Sequence, residues 1–181
     1  MWPVRSLSRR SWFSATVFIA AYAIFNEALA QSSHRPSEVV YLFGAMQSNR
    51  VLTPDDLRAM PAAMQQNFTQ TRTVGGVEQR TTLRGVKLAA LMEHIGLSTQ
   101  ARAEWKTLLV TATATDGYRA LFTWPELINT PTGEGVLVVY ERDGQPLHAR
   151  EGLIALQSTA DFRLGARHVR NLLRIEVSML N

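Results

Sequence analysis

The chain has 181 residues, 46% hydrophobic and 19% charged, which is enough apolar material for one domain with a buried core. Its formal net charge is +4, but without Arg5, Arg9, Arg10 and Glu27 near the N-terminus 16 basic residues face 14 acidic ones. There is no basic run and no aromatic-interleaved basic stripe, so the composition does not favour nucleic-acid binding. Because there is no cysteine, disulfides, iron–sulfur clusters and thiolate ligands or nucleophiles are excluded.

The first 30 residues have the pattern of an export signal. Three arginines precede an apolar stretch at residues 14–25, and Ala28-Leu29-Ala30 is a small-x-small cleavage site. The pattern predicts a signal peptide at 1–30, a single domain at 31–181 and a periplasmic location. An uncleaved N-terminal anchor is the alternative, although about twelve apolar residues are short for crossing a bilayer core of roughly 30 Å.

Residues 8–13 (SRRSWF) resemble a twin-arginine signal, in which two arginines are followed by bulky apolar residues. Such a signal is an address read by a receptor, and its route exports proteins already folded. An ordinary secretory signal that happens to contain adjacent arginines remains the alternative.

The first predicted elements are a short strand at residues 39–43 and a helix that starts near Thr53. Thr53 suits the N-cap and Pro54 the first helical position, while Pro61 ends the helix after one or two turns. An alternating segment at 67–73, the Gly75-Gly76 pair and a second segment at 77–83 predict a hairpin that could include an edge strand.

The rest of the chain predicts a helix, further strands and tight turns. Val86, Leu88, Leu91, Met92 and Ile95 have helical spacing, and Gly96 suits the position that follows the helix. Strands are predicted at residues 108–113, 118–123, 136–140, 153–156 and 172–177, with the third central, turns at Asp116-Gly117 and Asp143-Gly144, and a short helix that begins at Trp124 and is capped by Thr123. Short strands with a few small helices predict an α+β domain with mainly antiparallel or mixed sheets.

Two segments stand out as candidates for chemistry. Residues 113–119 (TATDGYR) place an aromatic after an Asp-Gly turn, and residues 165–171 (GARHVRN) hold three potential cations after a glycine. Glycine allows the backbone to approach a ligand closely, and arginine guanidinium groups bind phosphate or carboxylate through two hydrogen bonds. The alternatives are a plain hairpin turn and a solvated basic turn. The four histidines show no metal-site spacing, and there is no phosphate-cradling loop or nucleophile elbow.

These two segments, in this order, resemble the cofactor domain of the sulfite oxidase family of molybdopterin enzymes. Three further stretches of the chain are similar to that family, namely residues 51–61 (VLTPDDLRAMP), 83–92 (LRGVKLAALM) and 143–147 (DGQPL). The resemblance covers nearly all of the mature chain. It implies the sulfite oxidase-like molybdopterin-binding fold, and basic residues of the second segment that hold a pterin and its phosphate.

The sequence departs from the family where the metal would be bound. The family's molybdenum-binding cysteine has no counterpart, since the corresponding region offers only Gln70, Thr71, Arg72 and Thr73. Glu151 and Leu156 stand where the family has a histidine and an arginine. Because thiolate ligation fixes and tunes this metal, oxygen-atom transfer of the family's type is not expected.

The retained residues imply a pterin-binding module without catalysis, similar to the reduced PruR-type periplasmic proteins that bind a free pterin and act on a membrane regulator. No structural metal and no nucleic-acid partner is expected. A molybdopterin-dependent oxidoreductase or subunit, completed by a redox partner, and an interaction module with an empty pocket remain alternatives. Tyr118 and Trp124 could equally be core aromatics. The expected cofactor-binding residues are Asp116, Tyr118, Trp124, Glu151, Arg167, His168, Arg170 and Asn171.

Overall fold

Two β-sheets with short helices between them make up residues 36–180, the part of the chain that this computed structural model describes. The predicted signal peptide and its cleavage site lie outside the described residues. The strands are β1 (Val40–Gly44), β2 (Arg50–Leu52), β3 (Gln65–Val74), β4 (Val77–Lys87), β5 (Leu108–Ala114), β6 (Arg119–Thr123), β7 (Val136–Arg142), β8 (Gln145–Pro146), β9 (Ala155–Ser158), β10 (His168–Val169) and β11 (Leu172–Met179). The helices are α1 (Pro54–Arg58), α2 (Leu88–Ile95), α3 (Thr99–Ala103), α4 (Trp124–Asn129) and α5 (Pro131–Glu134), with 3-10 turns at Ala62–Met64 and Trp105–Thr107.

The two sheets differ in strand direction. The five-stranded sheet has the order β2-β1-β11-β5-β6, in which β1 and β11 run parallel and the other neighbours antiparallel. The six-stranded sheet has the order β10-β9-β7-β4-β3, with β8 beside β7, and all its pairs are antiparallel. The expected mixture of strand directions is therefore confirmed. Among residues 36–180, no helix is long and apolar enough to span a membrane.

Local chemistry explains the start of α1. The Thr53 hydroxyl accepts a hydrogen bond from the Asp56 amide at 3.2 Å, and the Asp56 carboxylate accepts from the Thr53 amide at 2.8 Å. This reciprocal capping box lowers the pKa of Asp56, mainly through the backbone hydrogen bond from Thr53. The predicted cap and Pro54 at the first turn are confirmed, and α1 ends at Arg58, before Pro61.

The predicted hairpin is also confirmed, and β3 is an edge strand. Val74 pairs with Val77 across Gly75 and Gly76, whose φ values are 59° and 82°. Positive φ at both central residues gives a turn whose twist matches that of the two strands. The strands extend further than predicted, because β4 continues to Lys87.

The prediction that Val86 belongs to the following helix is wrong. Val86 pairs with Gln65 on one side and with Val138 on the other, and α2 begins only at Leu88. Gly85 explains why β4 and β7 lie so close here, since a Cβ atom at this position would be 2.6 Å from the Val138 carbonyl oxygen. Pairing of β4 with β7 therefore overrides the helical spacing of the apolar residues.

The core lies mainly on one face of the six-stranded sheet. Alternate β7 residues Val136, Val138 and Tyr140 join the large core, which also receives side chains from the five-stranded sheet and the helices. A second cluster on the other face contains Leu83, Leu137, Val139, Leu147 and Ala155. β7 is thus buried on both faces, which confirms its predicted central position.

Candidate functional site

The turn between β5 and β6 meets the loop before β10 at a surface cavity of about 280 Å³. We call it the Tyr118 cavity. It is lined by Ala114, Asp116, Tyr118, Gly165, His168 and Arg170. Four of the eight residues expected to bind a cofactor therefore line one cavity, although about 50 positions separate the two segments in the sequence.

The Asp116 turn sets the position of Tyr118. The Asp116 carboxylate accepts a hydrogen bond from the Tyr118 amide at 2.9 Å, and Gly117 has a φ of 86°. The Tyr118 ring is 44% exposed, and its hydroxyl donates to the Ala166 carbonyl oxygen at 2.6 Å. Tyr118 is therefore not a core aromatic, because its ring joins the two segments and leaves a face open at the cavity.

His168 brings a half-buried imidazole to the cavity. His168 lies on β10, which pairs with β9, and its partner there is Gln157. Burial lowers the pKa of His168, and the nearby charges of Arg170, Arg142 and Arg72 add to this against the opposing effect of Glu151. The ring is therefore neutral at pH 7, with one nitrogen able to donate a hydrogen bond and the other able to accept one.

Arg170 is the basic residue of the segment that faces solvent. Its side chain is exposed, and within residues 36–180 its guanidinium forms no ion pair or side-chain hydrogen bond. Its donors are thus available to an anionic or carbonyl group in the cavity.

Arg167 differs from the expectation that it would hold the ligand. Its guanidinium is paired with Asp161, contacts Glu126 at 2.7 Å and lies over the Phe122 ring, 4.7 Å from the centroid. Hydrogen bonding to Arg167 lowers the pKa of Asp161, and the pairing raises the pKa of Arg167. Each of its three nitrogens already donates to a carboxylate, so we assign Arg167 to holding the loop rather than to the ligand.

Glu151 and Asn171 are engaged in closing the loop that follows β8. Glu151 accepts hydrogen bonds from Arg142 at 2.9, 3.0 and 3.2 Å. Asn171 has a φ of 48°, and its amide donates to the Glu151 carbonyl oxygen at 2.6 Å. A Cβ atom at Gly152 would lie 2.7 Å from the Asn171 Cα, so the backbone needs glycine there. Neither residue lines the Tyr118 cavity.

Trp124 lies apart from the other expected site residues. It is 4% exposed, begins α4 and lines a different cavity with Trp105. The extended β6 strand separates Tyr118 from Trp124 by roughly 20 Å along its length. A ligand in the Tyr118 cavity would therefore meet Tyr118 and not Trp124, and the alternative that Trp124 packs in the core agrees with its burial.

Sequence reasoning missed polar residues on β3 and β7. The side-chain oxygens of Gln66 and Gln70 are buried without a hydrogen-bond partner among the described residues, and Arg142 holds Glu151. Gln66 pairs with Gly85, which pairs with Val139, so these residues share the face of the second apolar cluster. The alternation of Gln66, Phe68 and Gln70 is the sequence signal that could have identified this inward face.

The donor groups present suit a polar heterocycle better than a thiolate-bound metal. The sequence has no cysteine, and within residues 36–180 no three histidine, aspartate or glutamate side chains are grouped as metal ligands. The Tyr118 cavity instead combines an aromatic ring, a carboxylate, a neutral imidazole and a guanidinium. Unpartnered amide oxygens such as those of Gln66 and Gln70 are costly unless a donor reaches them.

No protein-family model matches the sequence, and no curated protein matches it. Among solved structures, the sulfane dehydrogenase SoxCD from Paracoccus pantotrophus is similar in fold, with a TM-score of 0.55 and 15% sequence identity. The similarity covers 77% of this chain but 37% of that chain. The likeness shows a shared fold, and it confirms the expected α+β class in this broad form.

Proposed function

We propose that this protein is an exported pterin-binding module without catalysis of its own, which has a sensory or regulatory role and acts on a membrane partner. The observation that carries the proposal is the Tyr118 cavity, where the two segments singled out from the sequence lie side by side. The resemblance of these two segments to the cofactor domain of the sulfite oxidase family supports a ligand of the pterin class.

The cavity has the groups that a pterin would need. A pterin is a flat heteroaromatic ring with an amino group and ring N–H donors on one edge and a carbonyl acceptor beside them. The open face of Tyr118 offers a stacking surface, and the second carboxylate oxygen of Asp116 offers an acceptor for the donor edge. Neutral His168 and exposed Arg170 offer donors for the carbonyl or an attached anion.

The size of the cavity favours a ligand with one bicyclic ring. Small-molecule sites usually enclose about 300–1,000 Å³, and the Tyr118 cavity, at about 280 Å³, lies just below that range. A substituent on the ring would extend into solvent past Arg170. The export in this proposal rests on the pattern of residues 1–30, which predicts delivery outside the cytoplasm. The membrane partner rests on the resemblance to the PruR-type proteins.

Calorimetric titration with tetrahydrobiopterin and with oxidised biopterin tests the proposal. We expect saturable binding of at least one of them with a stoichiometry of one, and binding about tenfold weaker in Arg170→Gln, since a charged hydrogen bond contributes about 1.5 kcal/mol. Arg50→Gln is the matched control, because Arg50 is also exposed but lies on β2, at the opposite edge of the five-stranded sheet from β6. Absence of heat with both pterins would contradict the proposal.

A second candidate function is a subunit of a molybdopterin-dependent oxidoreductase, favoured by the fold likeness to a dehydrogenase. Without a cysteine, the metal would have to be held through the pterin alone or by a partner subunit. Measuring molybdenum in protein purified from the periplasm separates the two functions. One molybdenum atom per chain supports the oxidoreductase, and metal-free protein that binds free pterin supports the module.

A further inference from the structure

A second cavity lies at the opposite end of β6 from the Tyr118 cavity. Its volume is about 300 Å³, and it is lined by Glu93, Leu97, Arg102, Trp105 and Trp124. We call it the two-tryptophan cavity. The residues come from α2, the segment after it, α3, the second 3-10 turn and α4, so five separate elements converge on this cavity. The proposed pterin site uses none of them.

Apolar side chains that pack in or against the core line the inner part of this cavity. Trp124 and Leu97 are both buried, and Trp124 follows directly after Thr123, whose hydroxyl caps α4 by accepting from the Glu126 amide at 3.2 Å. Trp105 is half-buried against the core. The Lys106 ammonium lies 5.9 Å from the centre of the Trp105 ring, so one indole is already positioned beside a cation.

The rim carries two opposite charges that do not neutralise each other. Glu93 and Arg102 are both exposed, and within residues 36–180 neither forms an ion pair. An apolar pocket with a few convergent polar groups is the general form of a small-molecule site. Two opposite charges beside an apolar floor would suit a ligand that carries a cation and an anion together with an apolar group.

We propose that the two-tryptophan cavity binds a free α-amino acid with an apolar side chain, such as leucine or phenylalanine. The ligand carboxylate is held by the Arg102 guanidinium and its ammonium group by the Glu93 carboxylate. The side chain lies on Leu97 and the indoles, where its burial is favourable. A cavity of about 300 Å³ suits a ligand of this size.

Intrinsic fluorescence tests the site directly, because both tryptophans of the described residues line it. Titration of the purified full chain with leucine, and separately with phenylalanine, should give a saturable change in tryptophan emission. Trp105→Phe should reduce the amplitude of that change, which assigns it to the cavity rather than to Trp2 or Trp12. A linear response, or none, with both amino acids would overturn the proposal.

Charge variants and capped ligands test the recognition. Arg102→Gln and Glu93→Gln should each weaken leucine binding about tenfold, whereas Arg80→Gln, an exposed arginine on the β3–β4 hairpin, should leave it unchanged. N-acetyl-leucine and leucinamide, which each lack one charge, should bind about tenfold more weakly than leucine. Equal binding of leucine and both capped forms would show that the cavity does not recognise a zwitterion. All of these variants change exposed or rim residues, and their thermal unfolding midpoints report that they are folded.

Discussion

Arg167 and Arg170 flank the same short strand, β10, yet their guanidinium groups have opposite environments. Arg167 is surrounded by Asp161, Glu126 and the Phe122 ring, whereas Arg170 is exposed and pairs with no carboxylate of residues 36–180. The sequence shows two similar arginines in a basic segment. The structure assigns Arg167 to holding the loop and leaves Arg170 available to a ligand, because Asp161 of the same loop and Glu126 of α4 both contact Arg167.

Replacing Arg167 should have the largest effect, which is a loss of folding stability. Arg167→Met leaves Asp161 and Glu126 without their cation, and we expect the free energy of unfolding to fall by about 2 kcal/mol, below the range for fully buried pairs because Arg167 is partly exposed. Urea denaturation measures this change. Arg163→Met, an exposed arginine of the same loop, is the control and should stay within about 0.5 kcal/mol of wild type. If the two variants have equal stability, Arg167 does not hold the loop.

Arg170→Gln should show the reverse behaviour. Its stability should stay within about 0.5 kcal/mol of wild type, since no ion pair is lost, while its pterin affinity should fall about tenfold. Calorimetry and urea denaturation on the same preparation separate the two effects. A loss of stability without a loss of affinity would assign Arg170 to the same structural role as Arg167.

Tyr118→Phe separates the structural role of Tyr118 from its role in binding, because it removes only the hydrogen bond that links the two segments. Loss of the hydrogen bond to the Ala166 carbonyl oxygen should lower the free energy of unfolding by up to about 1 kcal/mol and leave the stacking face intact. Tyr41→Phe is the matched control, since Tyr41 is 45% exposed and its hydroxyl makes no hydrogen bond to the residues described. A pterin affinity reduced as strongly as in Tyr118→Ala would mean that the hydroxyl, not the ring, contacts the ligand.

The smallest expected effect is the pH dependence contributed by His168. Burial lowers the pKa of His168 below its unfolded value of about 6.5, so the folded state binds fewer protons than the unfolded state near pH 6. The contribution of His168 to the free energy of unfolding is therefore fully present above about pH 7, and it is lost as the pH falls towards 5. Thermal unfolding from pH 7.5 to 5 should show a shallower decline in His168→Gln than in wild type, with His94→Gln as the control. Parallel curves for wild type and His168→Gln would contradict this assignment.

Much of the fold could be predicted where neighbouring residues determine it. Thr53 and Pro54 start α1, and Gly75-Gly76 makes a tight turn, through interactions that span only a few residues. Apolar spacing predicts the wrong element for Val86, because pairing with Val138, which is distant in sequence, decides its conformation. Apolar spacing alone cannot distinguish these outcomes in a short segment.

The candidate site could be predicted in its segments but not in the role of every residue. The Asp116 turn and the segment before β11 were identified from residue type and resemblance, and the structure places them at one cavity. The partner of Arg167 on α4 could not be predicted, since Glu126 lies 41 positions away. Nor could the burial of Trp124, because the direction of β6 and the packing of α4 place its indole at the other end of the strand.

The most direct test of the account is nuclear magnetic resonance of the His168 ring during titration with tetrahydrobiopterin, with the signal assigned by its absence in His168→Gln. We predict that the His168 ring resonances shift and saturate at one equivalent, while those of His94 on α2 do not change. Saturable pterin binding that leaves the His168 resonances unchanged would contradict the account, because the ligand would then bind away from the Tyr118 cavity.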